Sequence, residues 1–123
     1  MRLLIVDDSN MIRTRISRVV QNGGIKGIAL AGLARNGQEA VRLARATRPE
    51  VVTMDLTMPE MDGIECISAL LKLDPAVKIL VVSALSDKST AIQALKLGAR
   101  GFVAKPFTDE ELQMALLEVA DVR

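Results

Sequence analysis

The chain alternates between short, nearly continuous apolar segments and longer segments in which apolar residues recur every three or four positions. The first kind is typical of strands buried on both faces of a parallel sheet, and the second of amphipathic helices. The pattern therefore predicts strand–helix units that follow one another along the chain. The predicted strands are Arg2–Val6, a strand within Gly27–Ala34, Val51–Met54, Lys78–Val82 and Gly101–Ala104.

Local signals mark the ends of the predicted helices. Ser9 is a suitable N-cap for the first helix, and Gly23-Gly24 suits its C-terminal turn. The arginines of this helix are expected mostly on the side opposite its apolar residues. Thr108 and Glu111 have the spacing of a capping box at the start of the last helix. The predicted helices are Ser9–Gln21, Gly37–Thr47, Ile64–Leu73, Asp87–Leu97 and one that begins at Thr108.

Strand–helix units this short fit an α/β fold of the flavodoxin-like type. That fold is a doubly wound parallel sheet with helices on both faces and the strand order 2-1-3-4-5. The order comes from known sheets of this type, because periodicity alone does not fix which strands are neighbours. In such a sheet, ligands bind outside the carboxyl ends of the strands, at the switch point between strands one and three.

The predicted strands end in residues suited to phosphoryl chemistry. The first runs into Asp7-Asp8, the third into Asp55, the fourth into Ser83, and the fifth into Lys105-Pro106. Because the carboxyl ends of parallel strands lie at one edge of a sheet, these side chains are expected to converge. Such a set can bind a divalent cation, offer a carboxylate nucleophile and neutralise a phosphoryl group.

Composition limits the other possibilities. A chain of 123 residues, half of them apolar, predicts one domain over residues 1–123 with a single packed core. A formal charge of +1 does not favour nucleic-acid binding, and no apolar run approaches a membrane span. The lone Cys66 cannot form an intrachain disulfide, so a cytoplasmic location is expected. Histidine is absent, which excludes Ser-His-Asp and Cys-His nucleophile pairs.

The order acid pair, Asp, Ser, Lys-Pro at predicted strand ends resembles the receiver domain of two-component response regulators from end to end. The segment from Asp55 to Gly63 resembles the receiver phosphorylation loop almost position for position. A lone strand-end aspartate would more often cap a helix. The resemblance implies instead that Asp55 accepts a phosphoryl group, because a carboxylate can attack phosphorus to give an acyl phosphate.

The same resemblance implies a Mg²⁺ site. Crowded carboxylates raise one another's pKa unless a cation lies between them, and Mg²⁺ prefers oxygen ligands. Asp8 and Asp55 are implied as direct ligands, Asp7 as a ligand acting mainly through water, and the backbone carbonyl of Thr57 as the third protein ligand.

Further roles follow from the resemblance. Lys105 is implied to neutralise the phosphoryl oxygens, and its peptide bond to Pro106 to be cis. Ser83 is implied to donate its hydroxyl to the phosphoryl group, with Phe102 as the switch aromatic. The response is expected on the face formed by the fourth helix, fifth strand and fifth helix, where a downstream protein would bind.

Two features depart from the receiver pattern. Phe102 stands where many receivers have tyrosine, so a signal that needs a phenolic hydroxyl is excluded. Thr57 and Leu85 occupy positions that in receivers flank the path of the hydrolytic water, and neither offers a carboxylate or an amide to orient it. Loss of the phosphoryl group by hydrolysis is therefore expected to be slow.

Two enzyme classes fit less well. A nicotinamide or flavin dehydrogenase needs a glycine-rich phosphate loop after the first strand, where this chain has Asp7-Asp8-Ser9-Asn10. A haloacid-dehalogenase-type phosphatase needs an acidic residue two positions after its nucleophile, where this chain has Thr57. The protein is therefore expected not to be a turnover enzyme.

The identity of the signalling system stays open at this level. The segment from Val52 to Gly63 looks especially like stand-alone CheY-type chemotaxis regulators. The expected partners are a sensor histidine kinase as donor and a downstream protein, with the flagellar motor switch as one candidate. The alternative is a receiver domain from a longer regulator with a DNA-binding or enzymatic output domain.

Overall fold

The structure is a computed structural model that describes residues 1–22 and 27–120. Its strands are all parallel and form one sheet in the order β2-β1-β3-β4-β5. The predicted fold class and strand order are thereby confirmed. The strands are β1 (Arg2–Val6), β2 (Ala29–Ala34), β3 (Val51–Met54), β4 (Lys78–Ala84) and β5 (Gly101–Lys105).

The helices follow the strands one by one. They are α1 (Asn10–Asn22), α2 (Gly37–Thr47), α3 (Gly63–Leu73), α4 (Lys88–Leu97) and α5 (Asp109–Ala120). A 3₁₀ turn, Leu85–Asp87, precedes α4. Ser9 caps α1, since its hydroxyl accepts from the Ile12 N–H at 3.3 Å. Thr108 and Glu111 exchange the two hydrogen bonds of a capping box. The predicted turn at Gly23-Gly24 lies outside the described residues.

Each face of the sheet carries its own apolar core. Alternate residues of a strand point to opposite faces, so Leu3 and Leu4 are both buried but belong to different cores. One core lies between the sheet and helices α2, α3 and α4. The other lies between the sheet and helices α1 and α5. Burial on both faces explains why the strands read as continuous apolar runs.

Strand register brings the strand ends to a common edge. Val6 of β1 pairs with Met54 of β3, so the residues that follow both strands emerge side by side. Strand β4 extends two residues beyond the predicted Val82, because its pairing with β5 continues to Ala84 opposite Lys105. Ser83 and Lys105 therefore belong to the sheet itself and are held by its hydrogen bonds.

Arg13 does not follow the expectation that the arginines of α1 face away from the core. Its side chain is buried, and its guanidinium Nη1 donates to the carbonyl of Asp7 at 2.6 Å. A buried guanidinium needs acceptors, and the end of β1 offers this carbonyl oxygen. Over residues 1–22 and 27–120, no helix is both long and apolar enough to cross a membrane.

Candidate phosphoryl-acceptor site

Three carboxylates meet at the carboxyl edge of the sheet. Each of Asp7, Asp8 and Asp55 offers one oxygen, and these oxygens lie within 4.8 Å of one another. Asp7 and Asp55 are buried, whereas Asp8 is exposed. The cluster therefore has a closed inner side and an open mouth through which an ion or a substrate can enter.

Backbone hydrogen bonds hold the loops that carry these carboxylates. The Asp55 N–H donates to the carbonyl of Val6 at 3.0 Å, which extends the pairing of β1 with β3 by one residue. The Ser9 N–H donates to Asp7 Oδ1 at 2.9 Å, and the Thr57 N–H donates to Asp55 Oδ1 at 3.3 Å. Each buried carboxylate thus receives a backbone donor two residues ahead in the chain, which orients it toward the cluster.

Lys105 supplies the positive charge of the site. Its Nζ lies 2.8 Å from Asp7 Oδ2 and 3.5 Å from Asp55 Oδ1. Burial by itself lowers the pKa of Lys105, but the hydrogen bond and charge of Asp7, together with Asp55, outweigh it and raise that pKa. The lysine is therefore a fixed cation between two buried carboxylates.

The surroundings of Asp55 oppose its negative charge. Burial and then the neighbouring charge of Asp7 raise the pKa of Asp55 from 3.8 to about 7, against the opposing effect of Lys105. A carboxylate in this position gains when a cation binds beside it. The site accordingly favours cation binding over three free carboxylates.

The N-terminus of α3 lies directly against the loop that carries Asp55. A Cβ at Gly63 would come within 2.5 Å of Leu56 Cα and 2.6 Å of the Asp55 carbonyl oxygen. Asp62 caps this helix by accepting from the Glu65 N–H at 2.9 Å. Glycine is required here because helix and loop backbones pass too closely for any side chain.

Ser83 is tied to a residue that sequence analysis missed. Its hydroxyl donates to Asp87 Oδ2 at 2.7 Å, and the Thr57 hydroxyl donates to the same oxygen at 3.2 Å. Asp87 thus places a carboxylate beside Thr57, although neither predicted flanking residue is acidic. The available sequence signal for Asp87 was its position four residues after the strand-end serine. The contact between them forms only because a 3₁₀ turn follows β4, and the sequence did not predict that turn.

The remaining predicted site residues lie around this centre. Phe102 is partly buried and packs against the core beneath α2, α3 and α4. Leu85 is 66% exposed in the 3₁₀ turn. The peptide bond between Lys105 and Pro106 is cis. The switch and dephosphorylation roles of Phe102 and Leu85 remain predictions.

Fold and site together define a class of protein. The fold is a flavodoxin-like α/β domain, and its switch point carries an acidic cluster with an embedded lysine. The sequence model of the response regulator receiver domain matches residues 3–117. The chain therefore belongs to the response regulator receiver family.

Some similar proteins match this chain over nearly their whole length, and another matches it over one third of its length. The chain is 41% identical over 119 residues to the chemotaxis protein CheY of Thermotoga maritima, with 97% of each chain covered. It is 38% identical over 120 residues to CheY of Listeria monocytogenes, with 98% of each covered. It is also 40% identical over 122 residues to a protein-glutamate methylesterase of Carboxydothermus hydrogenoformans, but spans 33% of that protein.

Solved structures show the same relationship. The CheX-CheY-BeF3-Mg+2 complex from Borrelia burgdorferi contains a chain with a TM-score of 0.89 and 29% identity, covering 100% of this chain and 90% of that one. The response regulator domain of Thermotoga maritima CheB has a TM-score of 0.84 and 31% identity, covering 100% and 98%. This chain is a receiver domain similar to CheY and to other response regulators.

Proposed function

We propose that the protein is a phosphorylation-activated switch whose Asp55 accepts a phosphoryl group from a phosphohistidine donor or a small acyl phosphate. The observation that carries this proposal is the arrangement of Lys105 Nζ between the buried carboxylates of Asp7 and Asp55. A nucleophile and a fixed cation then stand within reach of the same phosphorus. The proposal covers residues 1–123 as a single receiver domain.

The carboxylate cluster fits Mg²⁺. Two oxygens bound to one Mg²⁺ at about 2.1 Å cannot be more than about 4.2 Å apart, so oxygens already within 4.8 Å need little adjustment. Asp8 and Asp55 would bind the ion directly, Asp7 would act through water, and Thr57 would offer its backbone carbonyl. Bound there, the ion would neutralise carboxylate charge and allow a phosphoryl dianion to approach.

The chemistry follows from charge and position. An oxygen of Asp55 attacks phosphorus, the bond from phosphorus to the donor atom breaks, and that donor atom keeps the electron pair. Lys105 then holds a phosphoryl oxygen with its ammonium group, and the Ser83 hydroxyl donates to another. A charge-assisted hydrogen bond of this kind contributes about 1.5–3 kcal/mol.

The expected output surface is the face of α4, β5 and α5. Ser83 lies near the end of β4, ahead of α4, and Phe102 lies on β5. A move of the Ser83 side chain toward the phosphoryl group would leave space for Phe102 to turn. Large apolar side chains are exposed on the two helices: Ile92, Leu95, Met114 and Leu117. These suit a downstream protein partner.

The signalling role that we propose is that of a cytoplasmic chemotaxis-type regulator that receives its phosphoryl group from a sensor histidine kinase. Its support is the match over nearly the full length of CheY proteins. The flagellar motor switch is a candidate target. The alternative, a receiver belonging to a longer regulator, is tested by sequencing the reading frame beyond Arg123.

The test is phosphorylation of the purified protein with acetyl phosphate and Mg²⁺, followed by intact mass and hydroxylamine treatment. We expect one labile phosphoryl group per chain, no label without Mg²⁺, and none on Asp55→Asn. Asp62→Asn is the matched control, because asparagine can also cap α3 in the same loop. Acid-stable label, undiminished labelling of Asp55→Asn, or more than one phosphoryl group bound per chain would disprove the proposal.

A further inference from the structure

Asp87 holds two hydroxyl groups at the edge of the site. Its Oδ2 accepts from Ser83 at 2.7 Å and from Thr57 at 3.2 Å. The 3₁₀ turn after β4 brings this carboxylate back over the strand end, four residues after Ser83. Ser83 is only 1% exposed, so its hydroxyl has little access to water as an alternative partner.

A serine hydroxyl carries one proton and can donate it to one strong acceptor at a time. In the unphosphorylated protein the Ser83 hydroxyl donates that proton to Asp87 Oδ2, in a short hydrogen bond to a carboxylate. If Asp55 is phosphorylated, the same proton is needed by a phosphoryl oxygen. The two acceptors therefore compete for Ser83.

We propose that Asp87 is a positioning residue that holds Ser83 in its unphosphorylated arrangement and so weakens the response to a phosphoryl group on Asp55. This inference rests on the proposed role of Asp55 and adds to it the group that opposes activation. Among residues 1–22 and 27–120, Asp87 accepts hydrogen bonds from Ser83 and Thr57 and makes none with the carboxylate cluster, so it acts through Ser83.

Thr57 has a separate part in this arrangement. Through its bond to Asp87 it joins the loop after β3 to the turn after β4. When Ser83 leaves, Asp87 still has the Thr57 hydroxyl as a donor. Release of Ser83 therefore does not leave the carboxylate without a partner, and removing the Thr57 hydroxyl should not reproduce the loss of the Asp87 carboxylate.

A simpler explanation must be separated from this one. The negative charge of Asp87 could repel a phosphoryl group directly, whatever residue stands at position 83. A charge effect of this kind would persist when Ser83 is replaced, whereas competition for the hydroxyl requires Ser83. A double-mutant cycle between the two positions distinguishes them.

The experiment titrates the full chain with beryllofluoride in the presence of Mg²⁺ and follows backbone amide signals by NMR, since the chain has no tryptophan or tyrosine. The proteins are the unmodified chain, Asp87→Ala, Ser83→Ala and the double variant. We expect Asp87→Ala to bind about tenfold more tightly than the unmodified chain, the scale of one charge-assisted hydrogen bond. In the Ser83→Ala background, Asp87→Ala should change the affinity less than about twofold.

If Asp87→Ala raises the beryllofluoride affinity equally with and without Ser83, charge repulsion explains the effect. If it does not raise the affinity when Ser83 is present, Asp87 does not restrain Ser83. Either result overturns the proposal. Should Asp87→Ala not fold, Asp87→Val takes its place, because valine also offers no acceptor to Ser83. Asp55→Asn is measured separately: unchanged beryllofluoride binding there would refute the acceptor role of Asp55, whereas the double-mutant cycle decides the role of Asp87.

Discussion

Asp55 is held where burial and a neighbouring carboxylate oppose its charge, so its replacement by Asn should stabilise the folded protein. Asparagine has nearly the same shape and carries no charge at any pH. The substitution therefore removes the electrostatic cost of the carboxylate and leaves the packing around it in place. Its effect on stability should depend on pH in a direction that the structure fixes.

The size of this stabilisation follows from the difference between the proton affinity of Asp55 in the folded protein and in the unfolded protein. The pKa of Asp55 is raised from 3.8 to about 7 on folding, which corresponds to about 4 kcal/mol at about 1.4 kcal/mol for each tenfold change. Water reaches the mouth of the site, since Asp8 is exposed and the Lys105 side chain is 22% exposed. Screening reduces the expected gain to about 2 kcal/mol.

The sign follows from proton linkage. Between about pH 4 and pH 7 the folded chain keeps a proton on Asp55 that the unfolded chain has lost. Ionisation of this group therefore lowers the stability of the unmodified protein as pH rises through that window. The free energy of unfolding of Asp55→Asn should equal that of the unmodified protein below about pH 4 and should exceed it by the full amount above about pH 7.

Urea unfolding at pH 4, 6 and 8 measures this difference. About 2 kcal/mol should raise the midpoint of Asp55→Asn by about 1 M urea at pH 8. Addition of Mg²⁺ at pH 8 should stabilise the unmodified protein and narrow the gap. Glu118→Gln removes one exposed negative charge near the end of α5. Lys78, at the start of β4, donates to the carbonyl of Ala120, so that end of α5 lies at the edge of the sheet opposite the site. Glu118→Gln serves as the charge control.

A stability difference that is constant from pH 4 to pH 8 would refute this reasoning. So would an Asp55→Asn variant that is less stable than the unmodified protein at pH 8, since that would make the ionised carboxylate a favourable partner of Lys105. A gain of the same size in Glu118→Gln would assign the effect to overall charge and not to the site.

Two further predictions test the loops around the site. Gly63→Ala should lower the free energy of unfolding by about 1–3 kcal/mol, because its Cβ would lie 2.5 Å from Leu56 Cα. Gly32→Ala is its matched control in the same urea assay, since its Cβ would meet only flexible side-chain carbons of Leu4 and Leu43, the nearest at 3.4 Å. Thr57→Asn should shorten the lifetime of the phosphorylated Asp55, measured by phosphate release under matched Mg²⁺, because the added amide can position water. Equal lifetimes would show that water access is controlled elsewhere.

The sequence by itself determined the fold class and the approximate extent of its elements. Continuous apolar runs and helix-period segments alternate clearly in this chain, and capping signals such as Thr108 with Glu111 act within one helical turn. The strand-end positions of Asp7, Asp8, Asp55 and Lys105 could also be predicted. In a parallel sheet each strand's carboxyl end lies at the same edge, so position in sequence translates directly into position in space.

Contacts between residues from different elements were decided only by the tertiary structure. Periodicity predicts that Arg13 faces away from the core, yet it is buried against the carbonyl that ends β1. The pattern places Asp87 at the start of a helix, yet its carboxylate accepts from the Ser83 hydroxyl of β4 and from the Thr57 hydroxyl of the loop after β3. Helical periodicity predicts which face of a helix is apolar. It does not predict which carbonyl or hydroxyl at the edge of a sheet needs a hydrogen-bond partner. Strand register and one 3₁₀ turn supply those partners, and both arise from packing of the whole chain.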